Sequence, residues 1–430
     1  MTKEVENLWK SEDYWAIWFS VILFASILAG AVVTIPKIGK WTTNPLTAFS
    51  GQPLGIAALC LGLAVLFTVG VAIMKADWKR FLGGYLIVFL VSILAFVVSA
   101  QKTLHAWGLG YALWGLLFGL IIANTVGTPA WLLRGARSEM FIKTGLVMLG
   151  SEILFSKILQ LGLPGLIVAW IVTPTVIVFM WHFGTRWLKI PSKTFTIIVA
   201  AATSVCGVSA AIAVAGACRA KKEELTLAVG MTMIFTVLMM VVMPAFAKLV
   251  GMDPQVAGAW LGGTIDSTGA VVAAGALLGD QAEKVAAVVK MIQNVLIGAV
   301  AFAVAVFWVA RVDRDPKAPK PSLFELWYRF PKFILGFVAA SLVFSFLLGP
   351  LFGDDAVSVT LDVSEKLRSW LFCLAFVSIG LESNFRELWR QLVGGKPIIL
   401  YIVGQSFNIV LTLFAAWLAF GGVLFERVFK

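Results

Sequence analysis

Polar residues with chemical potential interrupt this chain at places where apolar side chains would be expected. The stretches Thr203-Ser-Val-Cys-Gly-Val-Ser-Ala-Ala-Ile-Ala-Val-Ala-Gly216 and Gly262-Gly-Thr-Ile-Asp-Ser-Thr-Gly-Ala-Val-Val-Ala-Ala-Gly275 are apolar overall, yet each holds hydroxyls and glycines at its centre. A helix broken at membrane depth frees backbone N–H groups that lipid cannot satisfy, so the break must face protein, water or a ligand. In the first stretch, Ser204, Cys206 and Gly207 are expected to end one half-helix and Ser209 to cap the next. The free N–H groups and positive dipole end of that second half-helix suit an anion. A small-residue helix packing closely on a neighbour would use the same residues. In the second stretch, Gly263, Thr264, Ser267 and Thr268 surround Asp266. A carboxylate at membrane depth costs about 2.5–3.5 kcal/mol on insertion scales, and such residues commonly serve ion or proton pathways. An ordinary N-cap near the interface is the plainer alternative for Asp266.

Lys290, Gln293 and Asn294 occupy one turn of a long apolar run. Lys290 could neutralise an anionic substrate or pair with Asp266, or it could snorkel from a span end. Gln293 and Asn294, like Gln405 and Asn408, are either ligand contacts or interhelical hydrogen-bonding groups. Glu152 and Glu382 are carboxylates that would carry protons if buried and would be plain solvated residues if they lay at a span's end. Asp266, Glu152 and Glu382 are therefore the candidates for coupling transport to an ion.

These residues must be positioned by helices. With 430 residues, 60% of them hydrophobic and 13% charged, and a mean hydropathy of +0.94, the chain lies outside the soluble globular range. Apolar runs long enough to cross a bilayer cover Trp15 to Val33, Leu54 to Met74, Phe81 to Ala100, Tyr111 to Val126, Phe141 to Leu161 and Leu166 to Phe183. Further runs cover Leu225 to Val250, Val285 to Val309, Phe333 to Phe352, Leu367 to Ile379 with a polar extension to Leu388, and Ile398 to Phe420. The expected fold is an all-α polytopic membrane protein, with about eleven spans plus two re-entrant or broken helices.

Charge decides between crossing and re-entrant. Were the first broken stretch a full span, Arg186, Lys189 and Lys193 would lie across the membrane from Arg219, Lys221 and Lys222, against the tendency of basic loops to stay inside. If each broken stretch returns to its own side, the N-terminus is cytoplasmic. The inside then collects these two clusters, Lys3, Lys10, Lys75, Lys79, Arg80, Arg134, Arg137 and Lys143, and the later residues Arg311, Arg314, Lys317, Lys320, Arg329, Lys332, Arg386, Arg390 and Lys396. The two hairpins then enter from opposite faces.

Gly150-Ser-Glu152-Ile-Leu-Phe155 and Gly380-Leu-Glu382-Ser-Asn-Phe385 share the pattern Gly-x-Glu-x-x-Phe, and under that topology the first runs outward and the second inward. This points to inverted-topology repeats, a common plan of secondary transporters. The halves are drawn at 1–250 and 251–430 of one integral membrane domain, with a Pro-rich, mixed-charge cytoplasmic linker at 310–331.

The net charge of +11 is explained by those loops, so no nucleic-acid partner is expected. Cys60, Cys206, Cys218 and Cys373 fall in apolar runs without paired spacing, which implies neither a disulfide framework nor a metal site. His105, beside Trp107, and His182, beside Trp181, are placed at interfaces. The chain carries no His-Glu-x-x-His, nucleophile elbow or P-loop, so neither an enzyme nor a nucleotide-driven pump is expected, and no cofactor. The apolar run after the first residues is too long for a signal-peptide core, which makes it a retained first helix.

From Cys206 to about Gly298 the chain resembles the YeiH-like sulfate exporter family of bacterial inner-membrane proteins. The resemblance is carried by Cys206-Gly, Ser209-Ala-Ala-Ile, Lys221-Lys-Glu-Glu, Trp260-x-Gly-Gly, Val271-Val-Ala-Ala-Gly275 and Val289-Lys290, with the stretch from Arg137 to Leu154 fitting as well. The chain departs from it at Asp266, where the family pattern has His, and at Gln293, where it has Arg. The resemblance implies sulfate export by a bacterial inner-membrane protein. Together with the broken helices it leads to the expectation of a multi-pass secondary transporter, an exporter of a small anion such as sulfate or an organic sulfonate, with a proton or Na+ as coupling ion. A channel or membrane receptor of the same fold is the alternative. Beyond the anion, the coupling ion and the lipid bilayer, a homodimer is the partner left open.

Overall fold

A computed structural model describes residues 10–49, 52–106, 110–153, 155–313, 327, 330–384 and 395–428. Trp107, Phe385, Lys3, Arg314, Lys317, Lys320, Arg329, Arg386, Arg390 and most of the 310–331 linker lie outside these residues. The protein is an all-α polytopic membrane protein, and no strand occurs among the described residues beyond one isolated bridge between Trp41 and Gln101. Among the described residues, six helices are long and apolar enough to cross a bilayer, Pro53–Ile73, Trp78–Ser99, Ile158–Trp187, Glu223–Leu249, Asp280–Val312 and Lys396–Phe420. Shorter apolar helices cover Tyr111–Thr125, Lys193–Ser204 and Phe333–Leu348.

The chain divides into two compact units, Met1–Ser156 with Lys332–Asn384, and Lys157–Pro331 with Phe385–Lys430. Each unit draws on both sequence halves.

The first unit contains α1 (Glu12–Leu28), α2 (Pro53–Ile73), α3 (Trp78–Ser99), α4 (Tyr111–Thr125) and α5 (Ser138–Glu152), joined later in the chain by α14 (Phe333–Val343) and α15 (Asp354–Glu382). Local signals start these helices: Pro53 stands in the first turn of α2, and the Asp77 carboxylate accepts from the Arg80 N–H at the start of α3. Two expected boundaries move. The run Phe141 to Leu161 is not one helix, because Ile153 takes an extended conformation after Glu152 and ends α5. The run Leu367 to Ile379 is the end of the longer α15, whose first turns carry the acidic residues that hid them from a hydropathy reading. Phe19, Phe67, Tyr85, Phe89, Phe141 and Trp370 fill the unit's interior through edge, tilted and stacked ring contacts.

α5 and α15 run antiparallel, as the order of their contacts shows. Ser138 meets Glu382, Gly145 faces the Phe372 ring, and Glu152 meets Arg368. Both helices end in Gly-x-Glu, and both glycines allow a close crossing. A Cβ at Gly150 would lie 2.3 Å from Phe337 O on α14, and one at Gly380 would lie 2.5 Å from Leu116 O on α4. The carbonyl after each glutamate accepts from a neighbouring helix, Ile153 O from Ser341 Oγ at 2.5 Å and Ser383 O from Asn124 Nδ2 at 3.0 Å. Two helix ends with the same local packing thus point in opposite directions.

The second unit contains α6 (Phe155–Leu166) running on through a π turn into α7 (Val172–His182), then α8 (Lys193–Ser204), α9 (Ser209–Ala217), α10 (Lys222–Leu249), α11 (Pro254–Thr264), α12 (Thr268–Ala276), α13 (Asp280–Phe307) and α16 (Lys396–Phe420). Pro164 precedes the π turn at Ile167–Ile171, where a local widening absorbs the missing backbone donor without ending the helix.

Both broken stretches are re-entrant hairpins, and α10 is the ruler that shows it. Glu224, in the first turn of α10, accepts from Ser192 Oγ at 2.5 Å and Thr194 Oγ1 at 2.7 Å, so the chain returns after α9 to the place where α8 began. In the second hairpin, Gly258 and Gly262 of α11 lie against Ala282 and Ala286 of α13. The start of α13 is therefore back beside the start of α11. Moving along α10, Thr232 touches Gly207 at the first tip, Met239 lies by Gln405, which binds Thr264 at the second tip, and Phe246 packs on Trp260. The two hairpins thus enter from opposite ends of α10 and meet midway.

Candidate functional site

Where the tips meet, backbone bonds backbone: the Gly207 N–H donates to Asp266 O at 2.6 Å. Gly207 permits this approach, since a Cβ there would lie 2.4 Å from Thr232 Cγ2. Each tip brings a negative helix end, that of α8 or α11, and a positive one, that of α9 or α12.

The negative ends are held together from α13. Lys290, 1% exposed, donates to Val205 O at 2.5 Å, to Ile265 O at 2.8 Å and to Gln293 Oε1 at 2.7 Å. Val205 and Ile265 are the residues that close α8 and α11. An ammonium has three donors, and all three are used here. Withdrawing it from water costs several kcal/mol, offset by three short charge-assisted bonds, two of them to helix C-terminal carbonyls. Lys290 therefore does not snorkel. The amide of Gln293 repeats the pattern one turn on, donating to Ser204 O at 2.9 Å and Gly263 O at 3.0 Å. Asn408 of α16 does so from its own helix, donating to Thr203 O at 3.1 Å and Thr264 O at 3.5 Å.

The remaining expected site residues fall as follows. Ser204 Oγ is spent within its own helix on Ala200 O, and Cys206 is buried, its carbonyl accepting from the Ala210 N–H. Ser209 does not cap α9: Val208 holds the cap position and Ser209 is the first helical residue, exposed. Val208 keeps near-helical dihedrals in the cap position, and no side-chain bond caps α9. Ser267 does hold the cap position of α12 and is half-buried. Thr268 Oγ1 accepts from Asn294 Nδ2 at 3.0 Å, and Gly263 leaves room for Val168 and Thr412.

Asp266 is 1% exposed, and it is not an interfacial cap. Its partner is Tyr401, whose hydroxyl donates to Oδ2 at 2.5 Å and whose ring stacks on Phe235. Tyr401 carries no signal by residue type, whereas Asn408 takes the second of the two roles open to it, bonding between helices. Their signal is spacing: Tyr401, Gln405, Asn408 and Thr412 recur at helical intervals and draw a polar stripe down an otherwise apolar α16.

Glu152 and Glu382 belong to the other unit, and their environments differ. Glu152 and Arg368 form a buried two-pronged pair, with Nε to Oε1 at 2.8 Å and Nη2 to Oε2 at 3.0 Å. Glu382 meets Ser138, whose Oγ donates to Oε2 at 2.7 Å and whose N–H donates to Oε1 at 3.4 Å. Ser138 occupies on α5 the place that Arg368 occupies on α15, so one repeat carboxylate has a cation and the other a hydroxyl. Arg368 is hidden in the sequence because it follows Asp362, Glu365 and Lys366 and reads there as one more solvated charge at the start of a span.

These features define a polytopic membrane protein built around two opposed re-entrant hairpins with a lysine at their crossing. The chain belongs to the family described as Conserved hypothetical protein 698, whose model matches residues 83–401, a range that includes both hairpins, Lys290 and Tyr401. A UPF0324 membrane protein of Rhodopirellula baltica is 54% identical over 396 residues, covering 92% of this chain and 73% of the relative. One of Nitratidesulfovibrio vulgaris is 51% identical over 387 residues, covering 89% of this chain and 66% of the relative. The chain thus spans about two thirds of the length of that relative. A UPF0324 membrane protein of Nitrosomonas europaea is 30% identical, with 96% of both chains covered. No solved structure matches the chain.

Proposed function

We propose that the protein is a secondary transporter of a small anion, moving it by alternating access past the meeting tips of the two hairpins. The observation that carries this reading is the division of helix ends. The negative ends of α8 and α11 are neutralised by Lys290 and Gln293, while the positive ends of α9 and α12 begin at Val208 and Ser267, outside that lysine's reach. Helix N-termini at membrane depth are the usual cradle for an anionic substrate group in transporters with discontinuous helices. Sulfate is the substrate and export the direction that the YeiH-like resemblance implies, and an organic sulfonate presents the same anionic oxygens. The site offers N–H dipoles and hydroxyls and no reacting dyad, which favours transport over catalysis.

The bacterial inner membrane is the proposed location. The base of the first hairpin carries Arg186, Lys189, Lys193, Arg219 and Lys221 and is placed in the cytoplasm by the preference of basic loops for that side. That assignment carries the N-terminus to the cytoplasm.

The test is counterflow in liposomes containing the purified chain, with labelled sulfate, sulfite, alkyl sulfonates and dicarboxylates. Transient accumulation of label against an internal excess of the same anion is expected. Flux without counterflow would convert the reading to a channel, and absence of flux with every anion would refute it.

A further inference from the structure

Six buried side-chain oxygens or nitrogens lack a hydrogen-bond partner among the described residues, and four of them belong to the second tip and to the two helices that bond it. They are Thr264 Oγ1, Asp266 Oδ1, Gln405 Oε1 and Asn294 Oδ1, all oxygens, on residues between 1% and 4% exposed. Thr264 and Asp266 flank Ile265, which is extended, so their side chains leave the tip on the same side. The Gln405 amide nitrogen is anchored 3.2 Å from Thr264 O, and Tyr401, one turn earlier on α16, holds the other oxygen of Asp266. Asn294 approaches from α13, its nitrogen fixed on Thr268 Oγ1. In each amide the nitrogen is pinned by an acceptor at the tip, which leaves the oxygen as the open atom.

Buried polar groups in folded proteins are almost always paired, and a cluster of exceptions calls for a cause. A proton on Asp266 gives one donor, which serves one of the neighbouring oxygens and leaves the others unpaired. A bound cation takes several such oxygens together, since hard cations accept carboxylate, amide and hydroxyl ligands. We propose that Thr264 Oγ1, Asp266 Oδ1 and Gln405 Oε1, joined from α13 by Asn294 Oδ1, form a binding site for a monovalent cation of the size of Na+. The charge count limits valence: the site has one carboxylate, and the Lys290 ammonium, bonded to Ile265 O between Thr264 and Asp266, already opposes any added positive charge, so each further unit of cation charge is costlier. A divalent ion would be left under-neutralised. Neutralising Asp266 beside the positive end of α12 also removes the one fixed negative charge that would repel an anion there. As the coupling ion the cation rests on the transporter reading, whereas its binding rests on the oxygens alone.

The experiment is thermal unfolding of the purified full chain in detergent, titrated with NaCl against choline chloride at constant ionic strength and pH. A saturable rise in melting temperature with Na+ is expected, because a ligand that binds the folded state stabilises it by mass action. Thr264→Val, which removes the hydroxyl and keeps the shape, and Asp266→Asn should each shift the half-saturating Na+ concentration upward at least tenfold. No Na+-specific rise in the wild type overturns the proposal, as does a rise of unchanged affinity in both variants. The counterflow assay fails or succeeds independently. Na+ binding without anion flux would refute the transporter reading alone, and anion flux indifferent to Na+ in a wild type without the melting shift would refute the cation site alone.

Discussion

Replacing Lys290 with methionine keeps most of the side chain's length and its apolar stem and deletes its three donors. Val205 O, Ile265 O and Gln293 Oε1 then lose bonds of 2.5, 2.8 and 2.7 Å. A buried acceptor left unpaired costs about 1–3 kcal/mol, so three would cost roughly 3–9 kcal/mol if none found a new partner. Two effects reduce this. The variant no longer holds an ammonium out of water, a relief of several kcal/mol, and polar groups inside membranes tend to re-pair, so that side-chain hydrogen bonds there average about 0.6 kcal/mol. Three bonds at that average set a floor of about 2 kcal/mol, and the expected loss is about 2–5 kcal/mol. For a unit of 150–250 residues this lowers Tm by roughly 5–15 °C. Hydrogen exchange should localise the damage: amides at 203–209 and 263–268 exchange faster, while the hairpin base around Ser192 and Glu224 keeps its protection. A methionine variant with wild-type Tm and unchanged exchange at both tips would refute the claim that this ammonium ties the hairpins together. If such a variant nevertheless lost anion binding, Lys290 would be acting on the substrate directly.

Gly207→Ala should destabilise the tips by about 1–3 kcal/mol through overpacking on Thr232 Cγ2, and Thr232→Ser, which removes that methyl, should restore most of the loss in a double-mutant cycle of chemical unfolding. Arg368→Met leaves Glu152 buried without its cation and should cost about 3–5 kcal/mol, whereas the double variant Glu152→Gln/Arg368→Met should recover much of it. Glu382→Gln keeps an acceptor for Ser138 Oγ and should cost about 1 kcal/mol or less by the same measurement, since no buried cation is orphaned. Cysteines replacing Lys189 and Lys221 should react with an impermeant maleimide from one face and a cysteine replacing Lys248, near the far end of α10, from the other. Labelling of all three from one face would overturn the opposed-hairpin arrangement.

The two breaks, their re-entrant character and their opposed entry were legible in the sequence because they depend on local hydropathy and on the sum of charges in short loops. Both are properties of contiguous residues, and Arg186, Lys189, Lys193, Arg219, Lys221 and Lys222 speak for one side of the membrane whatever the helices do. Gly150-Ser-Glu152 and Gly380-Leu-Glu382 likewise announced two related helix ends, because a glycine crossing followed by a carboxylate is written in adjacent letters. Pairing across the fold was not legible. Lys290 as a residue type is equally a substrate's counter-ion, a partner of Asp266 or a snorkelling cation, and the choice was made by carbonyls 85 and 25 residues away. Asp266 gave no hint of Tyr401, 135 positions distant, nor Glu152 of Arg368, 216 positions distant. Helix boundaries at Glu152 and Ser209 also moved, for the hydropathy of a run says that it is buried and leaves open where its backbone turns. Which buried polar atoms find each other is settled only when whole helices pack. Thr264 and Asp266 of one tip, Asn294 of α13 and Gln405 of α16 were brought into one bonded neighbourhood by that packing, from helices that no periodicity connects.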